Sequence, residues 1–110
     1  MGIIIILIIL ISLIEYIGDS NFKFYAREPK KKNLIIGVLA YIILISLLIH
    51  ILKYTNVLYL NGTWDGISAI IESILAYVLL KERLANPTQY LGLLLIISGI
   101  VALNIGPIPK

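Results

Sequence analysis

The sequence predicts an all-α integral membrane protein with four transmembrane helices. Three observations predict this fold class. The 110 residues are 60% hydrophobic and 14% charged, and the mean hydropathy is +1.02. Four apolar stretches are each long enough to approach the thickness of the bilayer hydrocarbon core. Short polar connections, most of them basic, separate the stretches.

The four predicted spans form a single domain that covers residues 1–110. Each span is expected to be helical, because backbone polar groups in lipid must find hydrogen-bond partners within their own segment. The first span is expected to be retained, since it lacks the basic start and the small-residue cleavage site of a signal peptide. The spans lie at about residues 3–22, 34–52, 57–80 and 88–105.

The basic residues predict one orientation in the membrane. Four spans place the first and third connections on the same side, and 7 of the 9 Lys and Arg residues lie there. Lys53 and Lys110 lie on the opposite side. The positive-inside rule therefore places the first and third loops in the cytoplasm and both termini outside.

Glu15 is the strongest candidate for a functional residue. It lies inside an apolar segment, at a depth where an ionisable group costs at least about 2.5 kcal/mol on insertion scales. Ser12, Glu15, Asp19 and Lys23 follow steps of three, four and four residues, so they share one helical stripe. Two acids one turn apart are expected to attract a cation and to share protons near neutral pH. Alternatively, Asp19 pairs with Lys23 near the interface.

The third span carries a second polar stripe that also predicts a binding site. Trp64 stands beside this stripe and offers an aromatic face to a cation. The alternative is that Trp64 is a packing or interfacial residue and that the acids bond to neighbouring helices. The stripe consists of Asn61, Asp65, Ser68 and Glu72.

The fourth span contains no acidic or basic residue, and its small residues predict a contact with another helix. Gly92 and Gly99 lie one heptad apart, with Ser98 adjacent, which gives a shallow strip for close approach. The sequence therefore predicts a dimer that uses this strip.

Other classes of function have no support in the chain. Without cysteine there is no thiol chemistry or disulfide. Phosphate-binding loops, nucleophile–base arrangements and metal-ligand spacings are absent, so no enzyme, cofactor or metal site is predicted. The basic run near Pro29 fits topology and contact with membrane lipid, and no nucleic-acid partner is expected.

These residues resemble the small multidrug resistance transporters, a four-span family within the drug/metabolite transporter group. The likeness covers nearly the whole chain, and the 49-residue separation between Glu15 and Trp64 suits it without gaps. The residues that carry the resemblance are Glu15, Ile17, Gly18, Lys23 and Phe24 in the first helix, Tyr41 in the second, Trp64 and Gly66 in the third, and Arg83, Leu84 and Pro87 beyond it.

The resemblance implies a dimer in which Glu15 binds either protons or a cationic substrate, with Tyr41 and Trp64 as walls of the pocket. The function expected on this basis is proton-coupled export of a small or multiply charged organic cation. The assembly is expected to be a homodimer or a heterodimer with a related four-span protein. A membrane scaffold that keeps the fold and a flippase for lipid-linked substrates remain as alternatives.

The chain departs from the family pattern in three ways. Asn61 replaces a tyrosine three residues before the tryptophan, which removes an aromatic wall. Asp19, Asp65 and Glu72 add acids, which favours a polyamine or guanidinium-type substrate over a hydrophobic drug. The 7 to 2 charge bias favours one orientation, whereas family homodimers commonly combine two.

Overall fold

The protein consists of four helices, and a computed structural model describes residues 2–109. Met1 and Lys110, which end the predicted domain, lie outside the described residues, as does the outer charge predicted at Lys110. Each helix overlaps one of the four predicted spans. The helices are α1 (Gly2–Arg27), α2 (Lys31–Ile51), α3 (Val57–Val78) and α4 (Pro87–Leu103).

Asparagine side chains begin the last two helices. The side chain of Asn56 accepts a hydrogen bond from the Tyr59 backbone N–H at 2.8 Å, which satisfies one of the unpaired donors at the start of α3. Asn86 forms a capping box with Gln89, and Pro87 occupies the first turn of α4. Proline suits that position because its missing N–H has no intrahelical partner there.

Helix α1 lies at the centre of the arrangement. It packs against both α2 and α3, whereas α4 packs only against α3 among the described helices. The resulting order is α2, α1, α3, α4. The Cα atoms extend over 44 × 36 × 18 Å, so the chain forms a flat layer with two broad faces.

The contact between α3 and α4 depends on a glycine. A Cβ atom placed on Gly66 would lie 2.8 Å from the Cβ atom of Ile100 in α4. Any side chain at this position would therefore push the two helices apart. Close approach through small residues is typical of helix packing in membranes, where lipid is as apolar as leucine.

The buried apolar residues form one cluster near the connection between α2 and α3. Isoleucines of α1 meet residues from both neighbouring helices there, and Ile108 of the C-terminal segment packs against them. The segment is held by Thr55, whose hydroxyl donates to the Pro109 carbonyl at 2.6 Å. The cluster comprises Ile4, Ile8, Ile11, Leu44, Ile51, Tyr59 and Leu60.

Most of the large apolar side chains are exposed. In a protein surrounded by water such a surface would be an interaction or aggregation site. Helices α1 and α2 are long and apolar enough to cross a membrane, and α4 is a shorter apolar helix. The exposed apolar surface therefore suits contact with lipid or with another membrane protein.

Candidate functional site

Three carboxyl groups meet at the contact between α1 and α3. Glu15, Asp19 and Glu72 each place one carboxylate oxygen within 4.8 Å of the others. All three side chains are half-buried. The two predicted polar stripes thus face each other along part of their length, and this group is called the carboxyl cluster below.

Ser68 connects the two helices within the carboxyl cluster. Its hydroxyl is in hydrogen-bond contact with Glu15 across the helix contact and lies 3.3 Å from a carboxylate oxygen of Glu72 on its own helix. Ser68 lies four residues before Glu72, so both side chains share one face of α3. The serine can therefore bridge two carboxyl groups that would otherwise repel each other.

Tyr41 joins the carboxyl cluster from α2. Its hydroxyl donates to Asp19, and its ring stacks on Phe22 with 5.5 Å between the centroids. Gly18 makes the approach possible, because a Cβ atom there would lie 2.8 Å from the tyrosine ring. The tyrosine, which the sequence placed in the substrate pocket, thus contacts the acid predicted to bind cations.

Lys23 pairs with Glu82 of the connection between α3 and α4. The alternative in which Lys23 pairs with Asp19 is therefore not the arrangement found, since the hydroxyl of Tyr41 contacts Asp19 instead. A cavity of about 210 Å³ opens between these groups, and both Asp19 and Glu72 line it together with the ion pair. The carboxyl cluster is thus reached from the side of the first and third loops.

Buried apolar residues lie on the other side of the carboxyl cluster. The apolar cluster around Ile8 and Ile11 fills the space between the carboxyl cluster and the connection between α2 and α3.

The remaining residues predicted for the pocket lie outside the carboxyl cluster. Ser12 is fully buried, and its hydroxyl donates to the Ile8 carbonyl at 2.9 Å. Asn61 and Asp65 are exposed on α3. Asn61 and Trp64 line a separate cavity of about 130 Å³.

Trp64 presents a polar atom to the interior without a protein partner. Its indole nitrogen is buried and has no hydrogen-bond partner within residues 2–109. Buried donors in proteins are nearly always paired, so this one is available to a ligand or to water.

The residues predicted for the dimer contact lie on an uncovered surface. Cβ atoms placed on Gly92 and Gly99 would meet no other atom within 4 Å. Ser98 is exposed, and its hydroxyl bonds to the Leu94 carbonyl within the same helix. The strip is free within one chain, and its role as a dimer contact remains a prediction.

One residue of the site, Glu82, was not among those that the sequence singled out. Ser68 lies on the polar stripe of α3, and its spacing from Glu72 was the available signal. Glu82 had no such signal, because its contact with Lys23 joins residues 59 positions apart, one in α1 and one in the connection between α3 and α4.

The carboxyl cluster suits a cation that donates hydrogen bonds. The three acids lie close enough together to hold a metal ion as well. Ammonium and guanidinium groups need only a few acceptors, and carboxylates bind them through charge-assisted hydrogen bonds.

A layer of four mostly apolar helices with acids at its centre defines a membrane protein of the transporter type. Residues 3–96 match the family described as the Small Multidrug Resistance protein. The chain belongs to this family, and membership establishes a multi-pass integral membrane protein that is a transporter and not an enzyme.

Two curated relatives carry names of the same kind. The chain is 30% identical over 90 residues to the multidrug resistance protein EbrA of Bacillus atrophaeus, with 82% of this chain and 85% of that protein covered. It is 25% identical over 91 residues to the multidrug transporter PA4990 of Pseudomonas aeruginosa, with 83% and 82% covered. These matches confirm the family and the four-helix membrane fold.

Proposed function

We propose that this protein is a proton-coupled antiporter that exports a small or multiply charged organic cation. Glu15 is the residue that binds protons and the cation in turn. The observation that carries the proposal is the meeting of Glu15, Asp19 and Glu72 within 4.8 Å of one another in a membrane protein of a transporter family.

Competition for the carboxyl cluster supplies the coupling. Three carboxylates this close can all remain ionised only if a cation lies between them. Without a cation, protons must neutralise part of their charge. A cation that enters therefore releases protons, and protons that enter release the cation. If only the occupied states change the side from which the site is open, proton inflow drives cation outflow.

The number of acids favours a substrate with more than one positive charge. Asp19 and Glu72 line the open cavity, whereas Glu15 lies behind them and contacts Ser68. A diamine, a polyamine or a guanidinium compound can place two donors among these groups. A bulky monovalent drug gains less, since Asn61 offers no aromatic wall. Asp65 and Asn61 stay predicted contributors to the pocket of the assembled dimer.

The functional unit is proposed to be a dimer, either with a second copy or with a related four-span protein. Because basic residues favour one side by 7 to 2, each copy has one preferred orientation, with the first and third loops in the cytoplasm. A C-terminal orientation reporter should therefore lie outside the cytoplasm. A reporter found in the cytoplasm would contradict this topology.

Proton release tests the central assignment. Purified protein in weakly buffered detergent should release protons when spermidine or guanidinium is added, and a pH-sensitive dye reports the release. Glu15→Gln removes the exchangeable proton while keeping the size of the side chain, so the release should be abolished. Glu28→Gln removes an exposed acid of the first loop and serves as the matched control.

The same variants can be examined in vesicles with an imposed pH gradient. The unaltered protein and Glu28→Gln should move the cation against the proton gradient, and Glu15→Gln should not. Equal proton release from Glu15→Gln and the unaltered protein would remove Glu15 from the proposed role. A scaffold would be supported instead if the unaltered protein transported no cation and Glu15→Gln lost the dimer.

A further inference from the structure

A second cavity adjoins the one at the carboxyl cluster, and the Lys23–Glu82 ion pair lines both. A cavity of about 430 Å³ opens between the end of α1 and the connection between α3 and α4. Its charged lining consists of Lys23, Arg27 and Arg83 with the single acid Glu82, which leaves an excess of two positive charges. It is called the basic cavity below.

The guanidinium groups of the basic cavity differ in how they are held. Arg83 lies 3.5 Å above the centroid of the Tyr77 ring and donates to the Tyr77 and Glu82 carbonyls at 2.8 and 2.7 Å. Arg27 is exposed and forms no ion pair within the described part of the chain. The guanidinium group of Arg83 is thus held in place, whereas that of Arg27 is available to an anion.

An apolar groove continues from the basic cavity along the contact between α3 and α4. This groove has a volume of about 250 Å³, and Ser73, Tyr77 and Leu93 line both it and the basic cavity. Its other lining residues are small or aliphatic, among them Ala69, Ile74 and Ile97. A charged head and an apolar tail could therefore occupy the two parts at once.

We propose that the basic cavity and the groove together bind one anionic phospholipid. The phosphate group lies near Arg27 and Arg83, and an acyl chain lies in the groove between α3 and α4. Basic pockets between helices at the cytoplasmic interface are suited to anionic head groups. Tyr77 and Tyr90 line the cavity at the level where tyrosine is enriched in membrane proteins.

The charge and shape of the site favour a lipid over other ligands. The transported cation is repelled by the two excess positive charges. Free phosphate would fill only the polar part and gain nothing from the groove. A phospholipid uses both parts, and removing each basic residue should weaken its binding about fivefold, equivalent to about 1 kcal/mol.

Lipid binding to the purified protein tests the proposal. Native mass spectrometry can count lipids retained after titration with phosphatidylglycerol or with phosphatidylcholine of the same acyl chains. Phosphatidylglycerol should bind at least about tenfold more tightly. Arg27→Gln should reduce its affinity about fivefold. Lys32→Gln removes the same charge at the start of α2, close in sequence but outside the cavity, and should leave the affinity unchanged.

Glycerol phosphate distinguishes the two possible sources of the phosphate group. It carries the head-group chemistry without acyl chains and should fail to displace phosphatidylglycerol at equal concentration. Displacement at equal concentration would identify a site for soluble phosphates and overturn the lipid assignment. Equal binding of the two lipids, or equal loss in Arg27→Gln and Lys32→Gln, would overturn it as well, because either result indicates unspecific attraction.

Discussion

Two regions of this protein, the contacts of α1 and the surface of α4, differ in how completely their side chains are covered. Where α1 contacts α2 and α3, aromatic rings pack against glycines and hydroxyl groups contact carboxyl groups. The apolar cluster at these contacts is buried. Helix α4 has no buried residue along Pro87–Leu103 and touches only α3 among the described helices.

This difference is consistent with the proposal that the first three helices form the site and that the fourth contacts a partner chain. A transporter that holds cations among acids needs walls that exclude lipid, and a layer only 18 Å thick leaves both faces open. If a second chain packs against α4, each chain covers part of the open surface of the other. Matched substitutions on the two surfaces separate these roles.

Blocking the strip on α4 should have the largest effect. The double substitution Gly92→Leu and Gly99→Leu places bulk where no atom of the chain lies within 4 Å. We expect each chain to fold but the dimer to dissociate, with transport lost. Cross-linking and vesicle transport measure the two outcomes.

Val101→Leu is the matched control for the strip. Val101 is exposed and lies nine residues from Gly92, about half a turn around the helix. It should leave both dimer and transport intact. Intact dimers of the Gly92 and Gly99 double variant would show that α4 is not the contact.

Filling the space between Gly18 and Tyr41 should lower stability next. Gly18→Ala forces its Cβ to within 2.8 Å of a ring that stacks on Phe22 and contacts Asp19. Overpacking of this kind costs about 1 to 3 kcal/mol. Denaturation in a series of sodium dodecyl sulfate mixtures, with helical content as the readout, measures the loss.

Gly92→Ala makes the same chemical change on the uncovered surface. Because nothing within one chain lies near this position, the free energy of unfolding of the dissociated chain should stay constant or rise by up to about 1 kcal/mol. A similar loss at both positions would show that the two surfaces are not as different as their packing indicates.

Removing one acid from the carboxyl cluster should alter selectivity. Glu72→Gln leaves two carboxyl groups, so the preference for a dication over a monocation of the same size should fall about tenfold, equivalent to about 1.4 kcal/mol. Competition between putrescine and butylammonium in the proton-release assay gives the ratio. Glu28→Gln should leave the ratio unchanged, and an unchanged ratio in Glu72→Gln would exclude the acid from substrate recognition.

The site was predictable from the sequence where its residues share a helix. The spacing of Glu15 and Asp19, and of Ser68 and Glu72, placed each pair on one face before any tertiary contact was known. The contact of Lys23 with Glu82 was not predictable, because no periodicity relates a residue of α1 to a loop residue 59 positions further along the chain. For the same reason the sequence could not predict that Asp19 forms a hydrogen bond with Tyr41 and not an ion pair with Lys23.

The sequence by itself determined the membrane fold and the helices, because a bilayer requires every span to satisfy its own backbone and tolerates few charges. Only the tertiary structure decided which acids meet, which face of each helix is covered and where the basic cavity joins the groove. These features arise from the order α2, α1, α3, α4, which glycines and side-chain shapes fix through contacts between distant residues.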